Sequence, residues 1–565
     1  MEKRIILLVL FLCFKLSFAQ HKYPQNYFKS PLEVPLLLSG TFGEMRSNHF
    51  HAGLDIKTKQ REGLKVLAAA KGYVSRIKIS MWGYGKVIYV DHPNGYTTVY
   101  AHLQKFSPKV EEYIKKKQYE QKSYEIELYP EAHELDLEQG ELLAYSGKTG
   151  GFIPPHLHFE IRDTKSERPI NPLLFGYKIK DTIRPTIKGA FAYPISENSH
   201  INGFTSKKKL KITNAGIGKL KSQKITAIDT IGVGIHVIDL LNNSLNKNGI
   251  YSLEMKVNGK RKYYYEVESF SFDKTRKINL HLDYHHFKNK KEFVQKCFIE
   301  HNNDLSIYKF LENAGQIEIL DGLDYKIELV AKDYAGNTST LTIPVKGERK
   351  NIQKKAKDFS DHTFVETSCN TTIQEGIATV IFPKETFYDN ANIKVTQKDN
   401  FVDVHQDIIP LQKKYTVAFD IRDKKESERK GLYIGRITGK KYTVYQNSIQ
   451  NDTAIFAKTK YLGKYKLIKD TIPPKVSLKN FKDGQWITKY HFLKVKISDP
   501  KSGIKSYYPT IDGEWIRMER DLRTGVLTYR LSDKEFKKAK HELKVVVEDN
   551  AGNKSTLKAT FYRKK

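Results

Sequence analysis

The chain has 565 residues, 39% of them hydrophobic and 12% aromatic, and carries a formal net charge of +32. That length exceeds what one core can serve and predicts three to five domains, while the hydrophobic content excludes disorder throughout. The positive balance excludes an acidic, anion-repelling surface; it suits a polyanionic partner or plain solvated lysine on exposed strands.

The first residues read as an address. Lys3 and Arg4 precede a short apolar run, and Ser17-Phe18-Ala19 places small residues where a signal peptidase reads. Lys15 interrupts the run, which is too short to span a bilayer comfortably. Bulky Leu12 before Cys13 does not fit a lipoprotein signal. Residues 1–19 are therefore expected to be a cleaved signal peptide, with the product exported to the periplasm, cell envelope or medium. Export turns the positive charge away from nucleic acid and toward a cell wall or envelope surface, met peripherally, since no later segment reads as transmembrane. Cys13 leaves with the signal, and Cys297 and Cys369 read as free thiols rather than a disulfide.

Residues 20–177 read as a β-rich domain. Short runs of β-branched and aromatic residues, such as GKVIYVDH and YTTVYAHL, are punctuated by glycines, and Asn94-Gly95 between two such runs predicts a hairpin. The polar stretch at about 108–138 breaks the pattern and predicts a helical excursion that falls between His102 and His156. It reads either as a plain surface insertion or as a segment overhanging the site.

Five residues in this domain carry chemistry: His51 and Asp55 in HAGLD, His102 in YAHL, and His156 and His158 in HLHFE. A catalytic zinc site needs three protein ligands and one open position, and His51, Asp55 and His158 would supply the three. In a strand, residues two apart share a face, so His156 and His158 enter one site while Leu157 packs behind. His102 follows a strand and can reach the same face from its end. Peptide hydrolysis also needs a proton shuttle and a donor for the developing oxyanion, for which His102 and His156 are available.

These strings, together with GELLAYSGKTG at 140–150, PHLHFEIR at 155–162 and INPL at 170–173, resemble the M23 (LytM/lysostaphin-type) zinc endopeptidases. The resemblance covers about 140 residues. It implies an antiparallel β-sheet with a narrow groove over one Zn2+ per chain, held by His51, Asp55 and His158. It implies catalytic roles for His102 and His156, no other cofactor, and a substrate among the peptide cross-links or stems of bacterial peptidoglycan. Two departures touch the groove walls: the long 108–138 insertion, and Phe152-Ile153-Pro154 where small polar residues are usual. Readings from other classes are a non-catalytic envelope scaffold that activates another hydrolase, and a secreted peptidase acting on Gly-rich proteins. Nearby, His49 is a lesser candidate, Trp82 and Tyr84 read as hairpin packing more than groove lining, His285-His286 as structural, and Asp91-His92 as exposed in a turn.

After Gly176 an internal repeat emerges. DTIRP at Asp181 matches DTIPP at Asp470, and GIYS at Gly249 matches GIKS at Gly503, each with a turn glycine ten residues on, at Gly259 and Gly513. DYAGN at Asp333 matches DNAGN at Asp549. The first copy is about 38 residues longer, with the excess expected between HHFKNKKEF and LENAGQ. Residues 178–347 and 469–565 are expected to be antiparallel β-sandwiches resembling bacterial immunoglobulin-like modules, and 356–468 a β-sandwich of another kind. The fold class is thus mainly β: a LytM-type peptidase sheet followed by β-sandwiches.

Overall fold

The computed structural model describes residues 22–151, 154–352, 358–439 and 442–564. The expected signal peptide and the pair Phe152-Ile153 lie outside the described residues. Strands hold 47% of residues and helices 8%, so the protein is mainly β.

The first domain is built on a sheet of order β1(Leu38–Gly40), β4(Leu54–Lys57), β13(His156–Asp163), β8(Tyr96–Ala101), β7(Lys86–Asp91), β6(Gly72–Ile79) and β10(Ile126–Leu128), with every pairing antiparallel. Strands β5(Lys65–Leu67), β9(Leu103–Phe106) and β12(Leu142–Ser146) form a smaller sheet beside it, and β2(Met45–Arg46) and β3(His49–Phe50) a two-stranded pair. Along β13 the side chains alternate: Leu157, Phe159 and Ile161 are fully buried in the main core, and the opposite face carries His156, His158, Glu160 and Arg162. Gly95, with φ +83°, closes the β7–β8 hairpin, and the Gly95 N–H donates to the His92 carbonyl. His92 itself departs from the exposed turn residue expected: it is buried, bonded to the Lys71 carbonyl and to Thr98, with its ring against Phe28. A neutral imidazole satisfied at both nitrogens costs little to bury.

The excursion after β9 begins as helix α1 (Pro108–Gln121), with proline in the first turn and Lys122 in a left-handed cap. Val110, Ile114 and Gln118, four residues apart, are its buried stripe. The chain then returns as β10 and β11(Asp136–Leu137), both paired to β6.

Beyond residue 176, thirteen strands spanning 186–347 join in one hydrogen-bonded network. Strands at 363–469 form two five-stranded sheets and a two-stranded pair, and strands at 475–562 form sheets of four and five. The pairing is not purely antiparallel as expected: Lys219–Ser222 and Ile225–Ile238 each run parallel to Thr338–Gly347, and Gln485–Trp486 runs parallel to Lys554–Tyr562. Gly259 and Gly513 take the left-handed conformation (φ +82° and +84°) in equivalent tight hairpins of the two repeat copies. The extra length of the first copy contains two short helices, Ile278–His281 and Tyr284–Lys290; Arg276, just before the first, bonds the Leu411 carbonyl of the module at 363–469, and Tyr284 bonds its Asp407.

The first two units share one continuous apolar core. Phe42 and Phe50 pack against Phe270 with ring centroids 5.3 and 5.4 Å apart. Polar ties run alongside: Lys57 to Ser244, Tyr334 to the Leu173 carbonyl, and the Phe50 N–H to Thr275. The peptidase-like sheet is therefore fixed to the unit that follows it rather than tethered by a free linker.

Candidate metal centre and cleft

Strand register assembles the centre. His158 stands directly opposite Asp55 on one side and Ala101 on the other, so His102, the next residue, arrives at the same place. His51 enters just before β4. Donor atoms of His51, Asp55 and His158 converge: His51 Nε2 lies 3.0 Å from Asp55 Oδ1 and 3.0 Å from His158 Nδ1, and His158 Nδ1 lies 2.9 Å from Asp55 Oδ1. All three side chains are buried.

The outer partners dictate the tautomers. A carbonyl can only accept, so His51 Nδ1–H donates to the Thr41 carbonyl at 2.8 Å and leaves a lone pair on Nε2. His158 Nε2 lies 2.7 Å from Glu160 Oε1, which leaves Nδ1 for the centre. Two imidazole lone pairs and a carboxylate oxygen then face one point. A tetrahedral zinc site with bonds of about 2 Å has ligand edges of about 3.3 Å, so a small outward movement seats the ion. The donor set fits Zn2+, with a carboxylate–histidine–metal relay behind His158.

Charge around the point is arranged for a cation. Burial would raise the Asp55 carboxyl, but His51, His156 and His158 hold it well below the usual carboxylate range. Burial would lower His158, but Asp55 and Glu160 together push it up to about 9, so without an ion its Nδ1 holds a proton, and a metal ion would take that proton's place. Burial would also raise Glu160, and Arg162 with His158 holds it at about 2. Arg46 donates to Asp55 Oδ2 at 2.6 Å and fixes its second oxygen. A side-chain carbon at Gly40 would lie 2.6 Å from that same oxygen, so the approach needs glycine.

His102 and His156 stand beside this triangle with ring centroids 4.7 Å apart. His102 Nδ1–H donates to the Thr149 carbonyl at 2.9 Å and His156 Nδ1–H to the Pro154 carbonyl at 2.8 Å, which leaves Nε2 of each for the site; that of His156 lies 3.5 Å from Asp55 Oδ1. Burial, with His158 and His156 close by, lowers His102 to about 3, so it is neutral at ordinary pH. His102 sits at φ +60°, a strained conformation for a non-glycine residue, held by its N–H to the Tyr84 carbonyl. His49 lies outside the cluster, exposed, with Nδ1 on the Ser47 carbonyl.

Sequence reading missed the supporting row. Glu160 and Arg162 follow His158 at the strand period of two, a signal present in PHLHFEIR. Arg162 bonds Glu160 at 2.6 Å and lies over Phe272 of the following unit. Tyr84 also belongs to the site: its ring lies 5.1 Å from that of His158 and its hydroxyl donates to Glu160.

The 108–138 excursion docks the last module. Arg517 bonds Glu111 at 2.8 Å and Gln118 at 3.1 Å, Trp515 meets Tyr119 edge-on at 5.3 Å, and Lys86 pairs with Glu519 at 2.9 Å. Between them opens a cleft of about 660 Å³, walled on one side by residues 149–151 and 154–155 and on the other by 519–523. Thr149, whose carbonyl holds His102, lines this cleft, as does Pro155 next to His156, whereas the five site residues themselves do not.

Residues 49–119 match the profile of peptidase family M23, and residues 362–470 that of a Zu5-like domain. The chain is 31% identical over 123 residues to the DD-carboxypeptidase/endopeptidase Mpg of Neisseria meningitidis, covering 22% of each chain. It is 32% identical over 155 residues to an uncharacterized metalloprotease of Haemophilus influenzae (26% of this chain, 27% of the other). It is 28% identical over 151 residues to the cell division protein DipM of Caulobacter vibrioides (26% and 20%). The chain thus spans about a quarter of the length of the curated relatives it matches. Among solved structures, the catalytic domain of the M23 protein EnpA from Enterococcus faecalis aligns over 26% of this chain and 98% of that one, at 17% identity and TM-score 0.20. A zinc-containing peptidase from Vibrio cholerae aligns over 28% and 41%, at 21% identity and TM-score 0.20.

Proposed function

We propose that the chain, whose residues 49–119 match peptidase family M23, is an exported zinc metalloendopeptidase that hydrolyses peptide bonds of bacterial peptidoglycan. The observation that carries the reading is the convergence of three buried donors beside two histidines whose Nδ1 atoms are tied to backbone carbonyls, leaving Nε2 of each for the chemistry. Zinc bound by His51, Asp55 and His158 supplies a Lewis acid that activates water near neutral pH.

The chain's own groups do the rest. Nε2 of His102 or His156 can take a proton from the attacking water and return it to the leaving amine. The other imidazole, once its Nε2 carries a proton, can hydrogen-bond the oxygen on which negative charge develops. Their carbonyl anchors hold both rings in place, so little reorganisation is needed during reaction. The cleft walled by the last module receives the substrate peptide. Similarity to a DD-carboxypeptidase/endopeptidase and to a cell division protein supports an envelope substrate. Among the described residues no helix is long and apolar enough to cross a membrane.

The test is metal analysis and digestion of purified sacculi by the chain lacking residues 1–19. About one zinc per chain and release of new muropeptides are expected. His102→Ala should keep the zinc and lose about 10²–10⁴ of the release rate. A folded, zinc-loaded wild-type protein that releases nothing from sacculi would refute the proposal.

A further inference from the structure

Both copies of the internal repeat bring three aspartates together. In the first, one carboxylate oxygen each from Asp181, Asp239 and Asp333 lies within 4.8 Å of the others, and in the second the same holds for Asp470, Asp499 and Asp549. The framework is duplicated atom for atom. Asn337 donates its N–H and its Nδ2 to the two oxygens of Asp333, both at 2.8 Å, and Nδ2 also reaches the Asp181 carbonyl at 3.3 Å. Asn553 does the same for Asp549, at 2.8 and 2.9 Å, and for the Asp470 carbonyl, at 3.0 Å.

The copies differ in one respect. In the second, Asp470 accepts from the Ile472 and Ser502 N–H groups, and Asp499 from those of Lys501 and Gly503. In the first, Asp239 is only 2% exposed and its Oδ1 has no hydrogen-bond partner. A buried, unpartnered carboxylate oxygen beside two more carboxylates is costly to ionise: burial, then Asp333 and Asp181, push the Asp239 carboxyl up to about 8, and a cation joining the three would take the place of that proton. Asp181 and Asp239 line a small cavity of about 20 Å³, room for one water-sized particle. Thr41 of the peptidase domain lines the same cavity, and its Oγ1 is likewise buried without a partner.

We propose that Asp181, Asp239 and Asp333 bind one Ca2+ at the joint between the peptidase domain and the unit that follows it. Every donor on offer is oxygen, which selects a hard cation and disfavours zinc. Three carboxylates exceed the two charges of the ion, and flexible coordination by carboxylates, carbonyls and water suits Ca2+ better than the strict octahedron of Mg2+. The site is independent of the zinc reading but adjoins it: the Thr41 carbonyl accepts from His51 Nδ1, so an ion steadying this loop also steadies a zinc ligand.

The test uses the full chain with zinc already bound, titrated with CaCl2 at constant ionic strength. Bound calcium is counted by equilibrium dialysis, and thermal unfolding is followed in parallel. Wild type should hold one more Ca2+ than Asp239→Asn, with the dissociation constant in the range of about 10⁻⁴–10⁻³ M typical of extracellular modules. At ten times that constant, calcium should raise the wild-type unfolding temperature by about 3–6 °C more than it raises that of the variant. Without calcium, Asp239→Asn should be folded and about as stable as wild type, because Asn keeps the shape and, like the protonated acid, carries no charge. Asp181→Asn serves as a second variant with the same expected loss if the first fails to fold. Equal calcium uptake by wild type and variant, or no uptake by wild type at millimolar calcium, would overturn the assignment.

Discussion

Glu160→Gln separates the metal site from the scaffold that holds it. The side chain is fully buried, with His158 Nε2 at 2.7 Å, Arg162 Nε at 2.6 Å and the Tyr84 hydroxyl on the same carboxylate. Glutamine keeps the shape and removes the charge. Losing a carboxylate behind a ligating histidine typically costs 10–100-fold in metal affinity, or about 1.4–2.7 kcal/mol. The same change strands Arg162, whose other carboxylate neighbour, Glu167, is 3.7 Å away and largely exposed. A buried charge deprived of its partner costs about 3–5 kcal/mol; contact with Phe272 and Tyr89 places Arg162 toward the lower end. The double variant Glu160→Gln/Arg162→Met should recover most of the stability and none of the zinc affinity. Chelator competition reads the first quantity and urea unfolding the second. A double variant as stable as wild type that still binds zinc within twofold of it would refute the relay argument. The linkage has a defined sign. Glu160 titrates at about 2 when folded, below its ordinary value of 4.5, so its contribution is complete above pH 4.5 and disappears as pH falls toward 2. The wild type should lose more stability than the double variant over that window.

Other expectations follow from single contacts. Leu157→Ala empties a fully buried position behind the histidine strand and should cost about 2–5 kcal/mol in urea unfolding. Arg517→Ala removes the charge-assisted bond from the last module to Glu111 of α1, along with one to Asp533 inside the module; hydrogen exchange in 108–121 should quicken, and sacculus digestion should show a raised KM with zinc content unchanged. Of Cys297 and Cys369, the first is buried, with burial pushing its thiol up, and the second is exposed. A thiol reagent should label Cys369 in the native protein and Cys297 only after unfolding.

The five-residue constellation was legible in the primary structure because its spacing is local chemistry. The alternation in HLHFE sends two imidazoles to one face, and a hairpin signal such as Asn94-Gly95 is written in adjacent residues. The repeat was legible for the same reason: turn-forming strings such as DYAGN and DNAGN are short and self-contained. His92 was misjudged because its partners, the Lys71 carbonyl and Phe28, come from elsewhere in the chain.

What only the tertiary structure decided is which distant groups meet. The register that sets His158 opposite Asp55 and beside His102 depends on β13 lying between β4 and β8, strands far from it in the chain. Nothing local says that helix α1 receives Arg517 from about 400 residues away, or that the first two units share a core. The parallel edge pairings and the contrast between satisfied and orphaned aspartates in the two repeat copies were likewise invisible, because equivalent strings can find different donors once folded. Side-chain identity and period are properties of neighbours along the chain. Tautomer, burial and counter-charge are properties of neighbours in space.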